Sequence, residues 1–318
     1  MPRQISLSQQ VSEDSAGSRL DQAAVELFPD FSRGRLQQWI KLGELTVDGR
    51  RAKPSARVSG GETLRIEAMM VSEGEVEAQD IPLDIIFADA HLVVVNKPVG
   101  LVVHPAAGNW QGTLQNALLN YDAELDTLPR SGIVHRLDKD TSGVMVVARS
   151  LKAHASLVNQ LQTRSMSRVY EAVVKGEIPA AGTISASIER NPRDRKKMAV
   201  RQGGKTAISH YRLIQRLPGT SHVEVSLESG RTHQIRVHMT HIGYPIVGDT
   251  LYGRGPIKQK GLPASAIEAI NGFPRQALHA RTLRLIHPES EELCEFHAPL
   301  ADDMRELIAT LKQSMSDG

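Results

Sequence analysis

The sequence predicts an α+β protein with two domains. Segments of helical and of strand periodicity follow one another without the regular strand–helix alternation of a doubly wound fold. An acidic segment of weak pattern, residues 68–80, is predicted to be a linker between a small first domain, residues 15–67, and a larger second domain, residues 81–312. No internal repeat is visible, and the 318 residues suffice for two buried cores.

The composition favours a soluble protein of a reducing compartment. Hydrophobic residues make up 40% and charged residues 23% of the chain, and Cys294 is its single cysteine. The N-terminal stretch lacks the apolar core of a secretory signal, and no apolar run approaches the roughly 20 residues of a membrane helix. The net charge of +2 does not by itself indicate a nucleic-acid partner. We expect a cytoplasmic monomer without membrane association.

Two helices and two strands are predicted in the first domain. Helical spacing marks residues 18–28 and 32–43, and strand alternation marks residues 44–52 and 62–68. The dipeptide Asp48-Gly49 is a hairpin-turn signal. The polar side of the second helix carries a basic cluster that consists of Arg33, Arg35 and Lys41.

Strands and helices are mixed in the second domain. Strands are predicted within residues 83–105 and at 143–149, 169–176, 209–217 and 221–230, and helices at 151–165, 232–243 and 302–313. Ser150 is expected to cap the first of these helices and Thr232 the second. Residues 254–275 are predicted to be an insertion, because glycine and proline interrupt them.

A carboxylate lies between cations at a point where an apolar run breaks and resumes. Asp138 follows Arg136 and precedes Lys139. One interpretation is a polar turn whose side chains hydrogen-bond their own backbone. The other is a catalytic loop, in which a nearby cation keeps the carboxylate ionised, as a nucleophile or base requires. The local pattern leaves both open.

Residues 230–241 contain three histidines and two arginines. A metal site is not favoured, because His233 and His238 would point to different faces of a helix and no nearby cysteine or carboxylate completes a ligand set. Arg231 precedes the predicted helix, and Arg236 lies in its second turn, where a guanidinium can pair with a carboxylate in a cleft. A solvated basic face is the alternative interpretation.

Tyr170 and the basic clusters allow contact with a nucleic acid. In a predicted strand, Tyr170 either packs in a half-buried position or has a functional role, in which its ring stacks on a nucleobase or its hydroxyl handles a proton. The second basic cluster consists of Arg190, Arg193, Arg195, Lys196, Lys197 and Arg201. Two clusters on two domains favour a surface that follows phosphates over merely solvated faces. The sequence contains no Walker A loop, Rossmann fingerprint or His-Glu-x-x-His motif, which excludes most cofactor-dependent classes.

Four blocks of the sequence together resemble the RluA/RluD-type pseudouridine synthases. They are NKPVGLVVHP at 96–105, GIVHRLDKDTSG at 132–143, YEAVVKG at 170–176 and GRTHQIRVHMTHIGYPIVGDTLYG at 230–253, and they stand in the family's order. The resemblance extends over nearly the whole chain and is closest to the RluD branch. It implies that the first domain is an α-L RNA-binding domain and that the second is a synthase domain with a mixed or antiparallel sheet.

The resemblance also implies roles for individual residues. Asp138 corresponds to the catalytic aspartate, and Arg236 to the cation that pairs with it and orients it. Tyr170 corresponds to the aromatic residue that packs against the target ring, and Ile235 to the apolar floor below it. Arg136 corresponds to the residue that enters the RNA stack and helps to displace the target base.

The implied reaction is the isomerisation of specific uridines in 23S ribosomal RNA, in the stem-loop called helix 69. Because the product is an isomer, no cofactor and no metal are expected. The basic clusters would bind phosphates of the RNA, and Arg231 would have an RNA or structural role. One rival is a non-catalytic ribosome-assembly factor, which would not need Asp138, Tyr170 and Arg236 together. Another is a hydrolase that uses Asp138 with Asp140, but such chemistry requires a well-separated carboxylate pair.

Overall fold

The computed structural model describes residues 3–29, 31, 33–70, 76–105, 109–253, 255–257 and 261–315. The chain divides into two compact units, residues 1–75 and 76–318. Helices and strands are mixed in both units, which confirms the predicted α+β class.

The first unit packs two helices against a three-stranded antiparallel sheet. The helices are α1, Leu20–Leu27, and α2, Arg33–Leu42, and the strands are β1, Arg3–Gln10, β2, Leu45–Val47, and β3, Thr63–Met70. The strand order is β1-β3-β2. Leu20, Leu36 and Leu64 are fully buried in the shared core. Both helices and the final strand lie where the sequence predicts them, whereas β1 was not predicted.

The predicted turn at Asp48-Gly49 is present, but its strand pairing differs from a simple hairpin. Both residues have positive φ, 48° and 74°, and Val47 and Arg50 exchange backbone hydrogen bonds of 2.9 and 2.8 Å across the turn. The ladder does not continue beyond this pair, because β2 pairs with β3 instead.

The segment 68–80, predicted to be a linker, is structured at both ends. Residues 68–70 end strand β3, where Ile5 of β1 pairs with Ala68. Residues 71–75 lie outside the described part of the chain. Val76 packs against the core of the second unit, and the amide of Gln79 donates to the carbonyl of Asn116 at 3.0 Å. The boundary between the two units, after residue 75, falls within the predicted linker, and the pairing of its first residues with β1 has no local signal in the sequence.

Within the described residues, the second unit contains a nine-stranded mixed sheet and a separate two-stranded ribbon. The sheet strands are β4, Ile85–Ala88, β5, Leu92–Lys97, β6, Ser142–Ala148, β7, Ser167–Lys175, β8, Ala181–Ser185, β11, Ile208–Leu217, β12, Thr220–Leu227, β13, Leu278–Ile286, and β14, Leu293–His297. Their order is β4-β5-β6-β13-β7-β12-β11-β8, and β14 pairs with β13. The ribbon consists of β9, Ile188–Arg190, and β10, Met198–Val200. The β6–β13 pair is parallel and its neighbours are antiparallel, as a mixed sheet requires.

The described part of the second unit also contains the helices α3, Leu114–Tyr121, α4, Leu151–Gln162, α5, Gln234–His241, α6, Ala264–Gly272, and α7, Asp302–Gln313. Ser150 caps α4, as predicted. Thr232 does not cap α5, because the residue directly before this helix is His233, which has a left-handed backbone conformation. The predicted insertion at 254–275 contains α6, and its residues 254 and 258–260 are outside the described part. Among the helices described, none is long and apolar enough to cross a membrane.

The centre of the sheet fixes the loop that carries Asp138. Strand β6 follows this loop and is buried along its whole length. Gly143 has φ 118° and pairs with Ala280, and a Cβ at Gly143 would lie 2.2 Å from the Ala280 carbonyl oxygen. A glycine is therefore required where the loop enters the sheet.

Candidate active site

One cleft of the second unit brings together the residues to which the resemblance gives roles. Its volume is about 690 Å³, and it lies between the loop before β6, strand β7 and the start of α5. Its lining includes Arg136, Asp138, Tyr170, Arg231, Ile235 and Arg236. The fold thus brings Asp138 and Arg236, 98 residues apart in sequence, to one site.

The loop of Asp138 is held through its backbone carbonyls by buried cations. The fully buried ammonium of Lys97 donates to the carbonyl of Lys139 at 3.0 Å, and Arg275 Nη1 donates to the carbonyl of Asp140 at 3.0 Å. Burial lowers the pKa of Lys97 to about 7, although the nearby Asp140 and Asp138 carboxylates raise it. These contacts restrict the loop at the two residues that directly follow its proposed catalytic carboxylate.

Arg236 bridges two aspartates. Its Nη1 donates to Oδ2 of Asp138 at 2.9 Å, while Nε and Nη2 donate to the two oxygens of Asp249 at 2.7 and 2.9 Å. Asp249 also accepts the backbone N–H groups of Leu251 and Tyr252 at 2.9 and 3.0 Å. Because Asp249 and Arg236 are both buried, this bidentate pair fixes the guanidinium plane and leaves one nitrogen for Asp138.

Burial and neighbouring charges shift the pKa values of Arg236 and Asp249 in opposite directions. Burial lowers the pKa of Arg236, but the hydrogen bonds and charges of Asp249 and Asp138 more than reverse this effect. Burial raises the pKa of Asp249, and Arg236 together with the backbone N–H donors lowers it below its ordinary value. Both side chains are therefore ionised at neutral pH, and Asp138 faces a permanent cation.

His233 and Tyr252 complete the surroundings of Asp138. His233 Nε2 lies 3.8 Å from Asp138 Oδ1, and its Nδ1 lies 2.8 Å from the Tyr252 hydroxyl oxygen. Burial lowers the pKa of His233, which favours a neutral ring. The left-handed backbone of His233, φ 55° and ψ 23°, is unusual for a non-glycine residue and is typical of functional sites. The Tyr252 ring packs 5.1 Å from the Arg236 guanidinium carbon.

Tyr170, Ile235 and Leu278 form an apolar side of the cleft, and all three are buried. Tyr170 lies on β7 between β12 and β13, paired with Val225 and Ala280. Burial raises the pKa of Tyr170, so its phenol is protonated at neutral pH. This side offers a flat aromatic ring and aliphatic groups to a planar ligand.

Arg136 and Arg231 are exposed at the cleft. Arg231 Nε donates to the Thr206 carbonyl at 3.2 Å, which leaves its terminal nitrogens without a hydrogen-bond partner among the described residues. Exposed guanidinium groups on a cleft attract polyanions.

The loop between β9 and β10 carries Arg195, Lys196 and Lys197. The Lys197 ammonium lies 3.8 Å from an Asp194 oxygen, an exposed and therefore weak ion pair. The amide of Met198 donates to the Tyr252 hydroxyl at 2.8 Å, so the ribbon contacts the surroundings of Asp138. These three basic residues directly precede Met198 in the chain, but they do not line the cleft.

The basic residues predicted on the first unit differ in their surroundings. Lys41 is exposed in the last turn of α2. The Arg33 guanidinium is 52% exposed but bonds the buried Asp21 carboxylate at 2.8 Å, a contact that the sequence did not predict. Arg35 lies in α2, and its side chain is outside the described part of the chain.

Two segments match known families, and relatives match nearly the whole chain. Residues 91–241 match the family described as RNA pseudouridylate synthase, and residues 18–64 match the S4 domain. The ribosomal large subunit pseudouridine synthase D of Xanthomonas campestris pv. campestris is 50% identical over 98% of this chain and 95% of its own. Its counterpart in Pseudomonas aeruginosa is 50% identical over 98% of each chain, and that in Escherichia coli strain K12 is 47% identical over 100% of this chain and 98% of its own. The chain belongs to the RluA/RluD-type RNA pseudouridine synthases.

Solved structures agree with this synthase in fold. Human RNA Pseudouridylate Synthase Domain Containing 4 has a TM-score of 0.57 and 24% identity, and covers 72% of this chain and 93% of its own. Human RNA Pseudouridylate Synthase Domain Containing 1 has a TM-score of 0.52 and 26% identity, and covers 76% of this chain and 98% of its own. The S4 match and the synthase match confirm the predicted order of an RNA-binding domain and a catalytic domain.

Sequence patterns did not single out Lys97, Asp249 and Tyr252, and they indicated for His233 only a possible role as a metal ligand. The first three lie within the blocks that carry the resemblance, which was the available signal. Their local patterns gave no indication of their distant partners, because only the fold brings Lys97 to Lys139, Asp249 to Arg236 and Tyr252 to His233. In the part of the chain that the structure describes, no group of three or more His, Cys, Asp or Glu side chains could hold a metal ion.

Proposed function

We propose that this synthase isomerises uridines of large-subunit ribosomal RNA in the stem-loop called helix 69, with Asp138 as the catalytic aspartate. The observation that carries the role of Asp138 is its contact with Arg236 at 2.9 Å inside a cleft of about 690 Å³. The names of the relatives support a large-subunit RNA, and the resemblance to the RluD branch supports helix 69. The S4 domain supports RNA binding by the first unit.

The target uridine must leave its stack before it can reach Asp138. Extrusion of a base costs a few kcal/mol and least in a loop, which favours a stem-loop over a regular duplex. Arg136 is exposed at the cleft and can fill the vacated space in the stack. Phosphate contacts by Arg231, Lys41 and the loop of Arg195, Lys196 and Lys197 would offset the cost of extrusion.

The chemistry begins at the ribose. Asp138 acts as the nucleophile on C1′ or as the base at C2′, and both roles require an ionised carboxylate. Arg236 donates to this carboxylate from a fixed position, because it is itself held by both oxygens of Asp249. The fixed geometry of the pair also limits the reorganisation needed when the N1–C1′ bond breaks.

The detached uracil must turn while it stays in the cleft. Tyr170 would pack against the ring, and Ile235 would form the floor beneath it, both from buried positions. The new bond forms between C5 and C1′, after which C5 loses its proton and N1 carries one. The product is thus an isomer of the substrate, and nothing else is consumed.

The proposed role of Asp138 is tested by tritium release from C5-labelled uridine in 23S rRNA. We expect release by the wild type and none by Asp138→Asn. Asp140→Asn is the matched control, because it removes a carboxylate of the same loop that does not line the cleft. This variant should retain most of the activity.

The substrate is tested in parallel with free 23S rRNA and with large-subunit particles, followed by mapping of the modified positions. Modification within helix 69 supports the proposal, and modification confined to another stem-loop contradicts that part of it. Tight RNA binding without tritium release from either substrate would instead support an assembly factor.

A further inference from the structure

Arg168 is a buried cation on the floor of the cleft. Only 8% of the residue is exposed, and it lines the cleft together with Tyr170. Both residues lie on β7, two positions apart, so their side chains leave the strand on the same face. The Arg168 charge partly opposes the rise that burial causes in the pKa of Tyr170, which is consistent with this proximity.

Within the described residues, Arg168 has no ion pair, and its Nε has no hydrogen-bond partner. Two other arginines that line the cleft, Arg236 and Arg164, do pair with carboxylates. Arg236 holds two aspartates, and the half-exposed Arg164 bonds Glu228 at 3.0 Å. A buried guanidinium without a carboxylate is costly to the folded state. An unsatisfied buried donor therefore indicates a ligand that the chain itself does not supply.

The backbone next to Arg168 leaves room for this guanidinium. A Cβ at Gly230 would lie 2.5 Å from Nη1 of Arg168, so a larger residue at position 230 would displace it. Gly230 belongs to the loop that leads to Ile235 and Arg236 on α5. The guanidinium thus lies between β7 and the loop before α5, beside the side chains proposed to hold the uracil.

We propose that Arg168 is a catalytic residue that binds the carbonyl oxygens of the uracil and stabilises their negative charge when the ring detaches from the ribose. This inference rests on the proposed function. A planar guanidinium with free N–H donors matches carbonyl oxygens in the plane of a base. Phosphates of the RNA are instead expected at the exposed Arg231, because moving a hydrated phosphodiester against the apolar side of the cleft would cost its hydration.

The charge follows from the bond changes. When N1–C1′ breaks, its electron pair stays with the uracil, and C1′ is compensated by a bond to the Asp138 carboxylate or by loss of the C2′ proton to it. The uracil anion spreads its charge over N1, O2 and O4. When C5 bonds to C1′, the uracil anion supplies the electron pair of the new bond. Asp138 then leaves C1′ if it was the nucleophile, or returns the proton to C2′ if it was the base. Finally C5 loses a proton and N1 gains one. Arg168 keeps its own protons throughout.

The first experiment compares single-turnover rates of Arg168→Met, Arg168→Lys and the control Arg212→Met on the RNA that the wild type modifies. Arg212 bonds Glu224 at 3.0 Å and does not line the cleft. We expect Arg168→Met to slow the reaction about 10²–10³-fold, as removal of an oxyanion donor does, with an RNA Kd within about threefold of the wild type. Arg168→Lys should restore part of the rate, and Arg212→Met should change the rate little.

Thermal unfolding distinguishes a catalytic role of Arg168 from a structural one. Because Arg168 has no partner to lose, Arg168→Met should be at least as stable as the wild type. A stability loss of several degrees in Tm, together with a slow reaction in both Arg168 variants, would indicate a structural role and overturn the proposal. An increase in Kd at unchanged single-turnover rate would indicate a phosphate contact and would overturn it as well.

A substrate with 5-fluorouridine at the target position tests the charge directly. Fluorine at C5 stabilises the uracil anion, so cleavage of N1–C1′ should depend less on Arg168. We expect the rate ratio of wild type to Arg168→Met, measured for bond cleavage, to be smaller with 5-fluorouridine than with uridine. An equal ratio would contradict charge stabilisation. Failure of the wild type on every RNA would instead contradict the proposed function, which separates the two hypotheses.

Discussion

Asp249 holds Arg236 with both carboxylate oxygens, 2.7 and 2.9 Å from Nε and Nη2, and leaves Nη1 for Asp138 at 2.9 Å. Asp249 itself does not line the cleft. Its carboxylate is in turn fixed by two backbone N–H groups at the end of the segment after α5. We therefore expect Asp249 to act as a positioning residue, which orients the proposed catalytic aspartate through the guanidinium.

Asp249→Asn should separate positioning from binding. The variant leaves a buried guanidinium with one ionised partner, so we expect a loss of about 3 kcal/mol in the free energy of unfolding. The isomerisation rate should fall about 100-fold, because Asp138 loses its fixed orientation. The Kd for RNA should not change. Urea unfolding, single-turnover kinetics and filter binding measure the three quantities.

Asp122→Asn is the matched control for this prediction. Arg149 bonds Asp122 Oδ2 with Nε and Nη2 at 3.0 and 2.7 Å, and neither residue lines the cleft. This variant should lose stability but keep its rate at a temperature where it is folded. Equal rate losses in the two variants would show that general destabilisation, rather than the Asp138 contact, explains the effect.

Gly143→Ala should disturb the catalytic loop through the sheet. A Cβ at this position would lie 2.2 Å from the Ala280 carbonyl oxygen, and the residue has φ 118°. We expect a loss of about 3 kcal/mol in the free energy of unfolding and a slower reaction, because the parallel β6–β13 contact must shift. Gly100→Ala is the control: it has φ 81° and nothing within 4 Å of its Cβ, so about 1 kcal/mol is expected. Similar losses for both would contradict the steric argument.

Local periodicity predicted much of the fold. The helices of the first unit, the cap at Ser150 and the buried strand β6 follow directly from spacing and capping residues. Strand β1 escaped prediction, because its exposed polar residues gave no clear alternation and its partner β3 is about 60 residues away. The parallel pairing of β6 with β13 was not predicted for the same reason, since strands that are distant in sequence leave no local signal of their pairing.

The candidate site was predicted only as far as the resemblance reached. Each of the four blocks contributes residues to one cleft, but the patterns alone left Asp138 open between a turn and a catalytic loop. The buried polar partners were not predictable, because a carboxylate such as Asp249 or an ammonium such as Lys97 looks like any other charge until its burial is known. Arg33 shows the converse, since an apparently free surface cation is bonded to the buried Asp21.

Lys97 should make stability depend on pH. Burial lowers its pKa to about 7 in the folded protein, from an ordinary value of 10.5. Between these values the unfolded chain binds a proton that the folded chain has lost, so stability rises with pH. From about pH 7.5 to about pH 9, the wild type should gain up to about 2 kcal/mol relative to Lys97→Met, which lacks the group. Urea unfolding at both pH values measures this difference. A constant difference would mean that the carbonyl acceptors keep Lys97 charged in the fold.

Two basic residues of α2 should have different effects on the first unit. The Asp21 carboxylate is fully buried and accepts hydrogen bonds from Arg19, Arg33 and Gln37 at 2.9, 2.8 and 2.6 Å. Arg19 first, and Arg33 and Gln37 with it, hold the pKa of Asp21 far below its ordinary value despite burial. Arg33→Ala should therefore destabilise this unit by about 1 kcal/mol, since the other two donors remain.

Lys41→Ala should instead weaken RNA binding without a loss of stability. Lys41 is exposed, and no ion pair involves it among the residues described, so its removal should change the unfolding free energy by less than about 0.5 kcal/mol. If it contacts a phosphate, the slope of log Kd against log salt should fall by about 1. Hydrogen exchange of α1 and α2 in the full chain reports local stability, and binding across a salt series reports the phosphate contact. Faster exchange in Lys41→Ala would contradict the proposed phosphate contact, because such a contact acts only when RNA is bound. An unchanged salt slope would contradict it as well.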